Sequence, residues 1–101
     1  MKTILLMCSA GMSTSIMVKK MQEAAEKMAA DVAIKAIPEQ ALSEHLAGTD
    51  IILLGPQIRF LKEKVQEAAK PVPVCVIDTM DYGTMNGEKI LREALAKLEG
   101  N

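Results

Sequence analysis

A chain of 101 residues with twelve basic and thirteen acidic side chains, net charge −1, has the size of one domain, expected to span 1–101, and shows no basic run or aromatic platform of the kind nucleic-acid binding needs. Half its residues are hydrophobic, but with one Phe, one Tyr and no Trp against eight Met the core must be aliphatic. Two cysteines without C-x-x-C spacing exclude a disulfide framework, and no apolar stretch approaches the roughly 20 residues of a membrane helix, so a soluble protein of a reducing cytoplasm is expected.

The N-terminal M-K-T-I-L-L-M-C is too short in its apolar part for a signal peptide, and Thr3 to Met7 are read as a strand ending at Cys8. Ser13 to Ala30 place Met17, Met21, Ala24 or Ala25, and Met28 on one helical stripe, which core packing explains. Val32 to Ile37 is a second strand ended by Pro38. Glu39 to Ala47 is read as a short helix closed by Gly48, and Asp50 to Leu54 as a buried third strand stopped by Gly55-Pro56. Ile58, Leu61, Val65, Ala68 and Ala69 mark the next helix. Pro73 to Ile77 make the fourth strand, Asp78 to Met85 a loop rich in turn residues, and Ile90, Leu91, Ala94, Leu95 and Leu98 a final amphipathic helix.

Strands apolar on both faces alternating with helices predict a parallel sheet covered on both sides, an α/β fold of the flavodoxin-like and low-molecular-weight phosphatase kind. Right-handed crossovers leave few arrangements, of which strand order 2-1-3-4 is the commonest small one. It puts the ligand crevice at the C-terminal ends of strands one and three, where the loop at 8–13 meets Gly55-Pro56-Gln57.

C-S-A-G-M-S-T-S (8–15) carries the chemistry. A cysteine followed by small and hydroxyl residues and then a helix lets backbone N–H groups converge above its sulfur, an arrangement that binds anions. Gly11 permits a backbone conformation other residues avoid, and Ser9, Ser13, Thr14 and Ser15 can donate hydroxyls to phosphate oxygens or cap the helix. Such surroundings lower a cysteine pKa from about 8.5 to between roughly 3.5 and 7.5, making Cys8 a thiolate nucleophile. A merely buried Cys8 would not need six small or hydroxyl residues after it. Cys75, mid-strand between Val74 and Val76, reads instead as inert core.

No Walker A sequence is present, which argues against a nucleotide donor. The loop is close to the C-x₅-R-S loop of low-molecular-weight tyrosine phosphatases, except that Thr14 stands where the Arg would be. That Arg clamps the phosphoryl oxygens in the transition state. Without it a phosphocysteine should hydrolyse slowly, which suits a carrier better than a hydrolase.

The stretches L-M-C-S-A-G-M-S-T-S (6–15), I-I-L-L-G-P-Q-I (51–58) and V-I-D-T-M-D-Y-G (76–83) resemble the enzyme IIB component of the bacterial phosphoenolpyruvate-dependent sugar phosphotransferase system, in its lactose/cellobiose (diacetylchitobiose) family. The resemblance covers essentially the whole chain. It implies a phosphotransferase component in which Cys8 accepts a phosphoryl group from a phosphohistidine on enzyme IIA and passes it to a sugar bound in the membrane permease, enzyme IIC. Residues Ser9, Ala10, Gly11, Met12, Ser13, Thr14 and Ser15 would hold the transferred group. It further implies no metal or organic cofactor, and a cytoplasmic chain transiently at the membrane through enzyme IIC. A monomer is expected. The rivals are a phosphatase or arsenate-reductase-like hydrolase using the same nucleophile, and a non-catalytic binding or redox module.

Other residues are weighed beside these. His45, the only histidine, has no ligand partners at metal spacing. Gln57 follows the switch-point Gly55-Pro56 and could hydrogen-bond a phosphoryl oxygen. Asp78, Asp81 and Tyr82 either border the site or form a turn begun by Asp and finished by Gly83. Lys19 and Lys20 lie past the first helical turn and read as a solvated face. For partner docking, Met12 and Ile58 or Phe60 are candidates, core burial explaining Ile58 equally well.

Overall fold

Continuous apolar runs need cover on both faces, and the computed structural model shows how this chain supplies it. It describes residues 1–7 and 12–100, with side chains for 1–7 and 15–99. The elements follow one another as β1 (Lys2–Met7), α1 (Met12–Met28), β2 (Val32–Ile37), α2 (Leu42–His45), β3 (Ile51–Leu54), α3 (Lys62–Ala69), β4 (Val74–Val76), α4 (Thr79–Gly83) and α5 (Gly87–Gly100), with 3₁₀ turns at Glu39–Ala41 and Pro56–Leu61. The four strands are parallel and ordered β2-β1-β3-β4, as the alternation predicts.

Alternate residues of each strand face opposite helical layers. Ile4, Leu6, Ile51 and Leu53 pack with Met17 and Met21 of α1 and with Ile90, Leu91 and Ala94 of α5. Leu5, Met7, Ile52 and Leu54 pack with Ile58 and with Val65 and Ala69 of α3. The Met stripe of α1 is therefore core: Met17 and Met21 have no exposure at all. α1 ends as Ala29 turns into the left-handed region at φ 54° and Ala30 N–H reaches back to the Ala25 carbonyl at 2.9 Å, the bond pattern of a Schellman cap.

Several boundaries differ from those read in the sequence. The expected helix over Glu39–Ala47 is a 3₁₀ turn followed by the single α-helical turn of α2, with no fully buried residue in either; Ala41, Leu42 and Leu46 pack on the core only partly buried, too little apolar contact to hold a longer helix. Before α3 the chain makes the 3₁₀ segment Pro56–Leu61, kinked at Ile58 (φ −116°, ψ 27°). The expected loop at 78–85 contains α4. Asp78 caps it, its Oδ2 accepting the backbone N–H groups of Met80 at 3.0 Å and Asp81 at 3.1 Å. α5 begins at Gly87, ahead of the first apolar marker Ile90.

β4 is an edge strand, and part of that edge is closed by α3. Gln66 Nε2 donates to the Val72 carbonyl at 2.9 Å while its Oε1 accepts the Val74 N–H at 3.0 Å, so one side-chain amide stands in for a neighbouring strand.

Candidate functional site

Three strand ends are brought level by backbone hydrogen bonds. Gly55 N–H donates to the carbonyl of Met7, the last residue of β1, at 2.9 Å, and Ile77 N–H donates to the carbonyl of Leu54, the last of β3, also at 2.9 Å. The Gly55-Pro56-Gln57 corner therefore sits against the residue that precedes Cys8 in the chain, and Asp78 follows at once on the other side. This meeting of the β1 and β3 ends is the point at which strand order 2-1-3-4 reverses, where ligands bind in open α/β sheets.

Cys8, Ser9, Ala10 and Gly11, and the side chains of Met12, Ser13 and Thr14, lie outside the described residues. The backbone of α1 starts at Met12, and its first turn holds no acidic residue. The positive end of the helix dipole is thus not offset by a carboxylate of the turn itself, the state in which a helix N-terminus favours an anion. Ser15 is exposed in this turn.

The other candidates separate. Gln57 is exposed in the first turn of the 3₁₀ segment, on the corner beside Met7. Asp78 is exposed, but its carboxylate is taken up in capping α4, the local role weighed for it above. Tyr82 is buried in the cluster that holds Met17, Ile77 and Ile90, so its ring belongs to the core and not to the rim, because the short helix α4 turns it inward. Ile58 is 4% exposed and Phe60 77%, which removes Ile58 as a docking residue and leaves Phe60. His45 is half-buried, with its carbonyl accepting the Thr49 hydroxyl at 2.6 Å. No cluster of His, Cys, Asp or Glu able to hold a metal occurs among the described residues.

Cys75 is not fully buried as expected. It is half-buried and helps line a groove of about 310 Å³, floored by Leu53, Cys75 and Ile77 and walled by Ile90, Ala94 and Lys97 of α5. The reason is positional: β4 has no strand beyond it, and α5 covers its inner side only.

An ion pair the sequence did not reveal stiffens the segment after β4. Asp81, 4% exposed, holds Lys89 Nζ at 3.2 Å through Oδ1, and its Oδ2 is buried without a hydrogen-bond partner. The hydrogen bond to Asp81 and then its charge raise the Lys89 pKa above the ordinary lysine value. Eight residues separate the pair and no motif links them, so only the α4–α5 turn brings them together.

Comparison with known proteins adds the following. The family model described as "PTS system, Lactose/Cellobiose specific IIB subunit" matches residues 3–93. The chain is 42% identical to an oligo-β-mannoside-specific EIIB component of Bacillus subtilis strain 168, covering 95% of each chain. It is 45% identical both to a galactose-specific EIIB component of Lactococcus lactis subsp. cremoris MG1363 and to a cellobiose-specific one of L. lactis subsp. lactis IL1403, each over 92% of this chain and 93% of the relative. The solution structure of a cellobiose-specific IIB component from Borrelia burgdorferi superposes with a TM-score of 0.81 at 44% identity, over 98% of this chain and 93% of that one. A lactose-specific IIB domain from Streptococcus pneumoniae shares the fold alone, with a TM-score of 0.83 at 18% identity over 93% and 94% of the two chains.

Proposed function

The chain belongs to the lactose/cellobiose-specific IIB family of the sugar phosphotransferase system, and on that premise we propose that Cys8 relays a phosphoryl group from enzyme IIA to a sugar held by enzyme IIC. IIB components are phosphotransferase-type components that work with IIA and IIC partners in general. The observation that carries the reading is the family match over 3–93, a span that includes Cys8, together with the position of Met7 at the end of β1 against the Gly55 corner.

In the proposed reaction the Cys8 thiolate attacks the phosphorus of a phosphohistidine. The S–P bond forms as the N–P bond breaks, and the imidazole leaves. In the second transfer a sugar hydroxyl attacks the same phosphorus, the S–P bond breaks to regenerate the thiolate, and the hydroxyl proton passes to a base on the permease side or to water. Residues 9–15 are proposed to cradle the phosphoryl oxygens through backbone N–H groups and the hydroxyls of Ser9, Ser13, Thr14 and Ser15, with the Gln57 side-chain amide proposed as a further donor. Charge handled by fixed backbone dipoles needs no reorganisation during transfer, and this chemistry calls for no metal or organic cofactor.

The sugar is proposed to be of the cellobiose, lactose or chitobiose type. Relatives named for three different sugars lie at 42–45% identity, so overall similarity does not single one out, and the choice is proposed to rest with the permease. Among the described residues no helix is long and apolar enough to cross a membrane, and the chain is proposed to act at the cytoplasmic face, where enzyme IIC presents the sugar.

The test uses phosphorylated enzyme IIA as donor. The chain is expected to gain one phosphoryl group that is acid-stable relative to phosphohistidine, and Cys8→Ser is expected to abolish the gain. Unchanged labelling of Cys8→Ser sinks the proposal. Sustained phosphate release from an aryl phosphate at ordinary turnover rates, 1 s⁻¹ or more on the order of magnitude, would instead favour the hydrolase.

A further inference from the structure

The outer edge of β4 is closed over only part of its length. In the parallel ladder with β3, Ile52 N–H donates to the Pro73 carbonyl at 3.0 Å and Ile77 N–H to the Leu54 carbonyl at 2.9 Å, and Leu53 stands opposite Cys75. Pro73, Cys75 and Ile77 therefore aim their backbone bonding groups at β3, and Val74, Val76 and Asp78 aim theirs outward. Asp78 keeps the alternation because its backbone is still extended, at φ −57° and ψ 137°. Some of these outward groups are satisfied within the chain: Gln66 Oε1 accepts the Val74 N–H at 3.0 Å, and the Asp78 carbonyl accepts the Tyr82 N–H at 2.9 Å. The Val74 carbonyl, the N–H and carbonyl of Val76 and the Asp78 N–H have no partner among the described residues.

The open groups complement themselves. A second copy, turned about a two-fold axis that passes beside Val76 perpendicular to the sheet, lays its β4 antiparallel to the first with Val76 opposite the partner's Val76. Each Val76 N–H then meets the other Val76 carbonyl, and each Asp78 N–H meets the Val74 carbonyl across the axis. The Val74 N–H and the Asp78 carbonyl, which would face one another at the two ends of this ladder, are the groups the chain already satisfies. The side chains follow the same register. Cys75 comes to lie beside the partner's Ile77, on the α5 side of the sheet. Both residues floor the groove of about 310 Å³ along β4, so each copy continues the other's groove and covers its half-buried thiol. Around that groove Lys62 and Lys97 are matched by Asp78 and Glu93, so the surface meets its own image without an excess of like charge.

We propose that two copies of this chain pair edge to edge through β4, joining their sheets into one continuous sheet ordered β2-β1-β3-β4-β4-β3-β1-β2. The contact is isologous and closed, and it removes the last open backbone groups of an edge strand. Antiparallel pairing sends the C-terminal strand ends of the two copies in opposite directions, so the crevice at the β1 and β3 ends stays open in both, and the inference does not depend on the phosphoryl relay. β4 has three residues, and a ladder this short buries less than the roughly 1,600 Å² of a standard interface. The pairing is therefore weak, with a Kd on the order of 100 µM, and the monomer expected from the sequence is its dilute form.

The experiment follows the full chain from about 10 µM to about 1 mM, a range that brackets a Kd of that order. In sedimentation equilibrium the weight-average mass is expected to rise towards twice the monomer value. Backbone hydrogen exchange, read residue by residue by NMR, should slow about fourfold at Val76 and Asp78 across the range, the fall in free monomer that such a Kd gives. Exchange at Val74, whose N–H already bonds Gln66, should not change with concentration. Val76→Pro removes an outward N–H at an edge position where proline is tolerated, and should abolish both the mass increase and the protection at Asp78. Val76→Cys, made in the Cys8→Ser chain, gives a readout that does not need the proline variant to fold. Mild oxidation should link two copies through position 76, because hydrogen-bonded antiparallel pairs hold their Cα atoms about 5.5 Å apart, within disulfide reach. Cys75, set opposite the partner's Ile77, should not link.

A monomer throughout the range, with exchange at Val76 as fast in the concentrated sample as in the dilute one, overturns the pairing. So does a dimer that a folded Val76→Pro chain still forms, and so does a Val76→Cys chain that links through Cys75 or not at all, since each places the contact on another face.

Discussion

The two faces of the sheet are built differently. One is covered by two long helices, α1 of 17 residues and α5 of 14, and its centre, Met17, Met21 and Leu91, is sealed from solvent. The other is covered by two 3₁₀ turns, the four residues of α2 and the eight of α3. Long helices place a residue on the sheet every turn and pack as a unit. Short elements bury fewer residues each, but they turn the chain back at the strand ends, and so they set Gly55 against the end of β1 and leave Phe60 exposed. The buried cluster under the first face is the larger of the two, and on the second a shorter length of chain is spent partly on shaping the rim.

The largest effect expected from this contrast comes from Leu91→Ala. It should cost about 3–5 kcal/mol, the upper part of the range for truncating a sealed core side chain, because two long helices cannot close over the cavity. Ile58→Ala, at the kinked turn on the other face, should cost nearer about 2 kcal/mol, since the Pro56–Leu61 segment can relax into the space. Urea midpoints with unchanged slopes give the comparison, and equal losses at the two sites would remove the distinction drawn between the faces.

A second test strikes the contact between the long helices. A Cβ added at Gly87 would lie 2.7 Å from the Lys20 carbonyl carbon and 2.8 Å from the Met21 nitrogen, backbone atoms that cannot move without shifting α1. Gly87→Ala should therefore destabilise by about 1–3 kcal/mol, even though alanine is the better helix former. A neutral or stabilising result in thermal unfolding would mean that α1 and α5 slide apart freely.

The smallest effect concerns the Asp81–Lys89 pair at the end of the long-helix face. Lys89→Met should lower the Tm modestly, because it leaves the buried Asp81 carboxylate without its counter-charge. Since the folded-state Lys89 pKa lies above its unfolded value, the pair's contribution is fully present below the ordinary lysine pKa and is lost as pH rises through the elevated one. The difference in Tm between wild type and Lys89→Met should accordingly shrink in strongly alkaline buffer. A constant difference would show that the side chain acts by packing alone.

These contrasts mark where sequence reading succeeds. The order of elements and the 2-1-3-4 sheet were legible because strands buried on both faces are continuous apolar runs and crossover handedness prunes the alternatives. Which of Ile58 and Phe60 turns inward was not. In a turn of about three residues per revolution, residues two apart point about 120° apart, so both cannot face the core equally, and composition does not choose between them. Tyr82 and Asp81 were equally opaque, because a five-residue helix is too short to show a period and owes its existence to the Asp78 cap and the packing around it.

By itself, the sequence determined the alternating architecture and the aliphatic core, since each is written in local residue type and spacing. Only the tertiary structure decided the level of the strand ends through the Gly55–Met7 and Ile77–Leu54 hydrogen bonds. It also decided the closing of the β4 edge by Gln66 and the exposure of Ile16, Phe60 and Met80 on three separate segments that leave the C-terminal ends of the strands. The physical reason is common to all of these: each joins residues far apart in the chain, whose meeting is set by how the layers pack and not by any local preference.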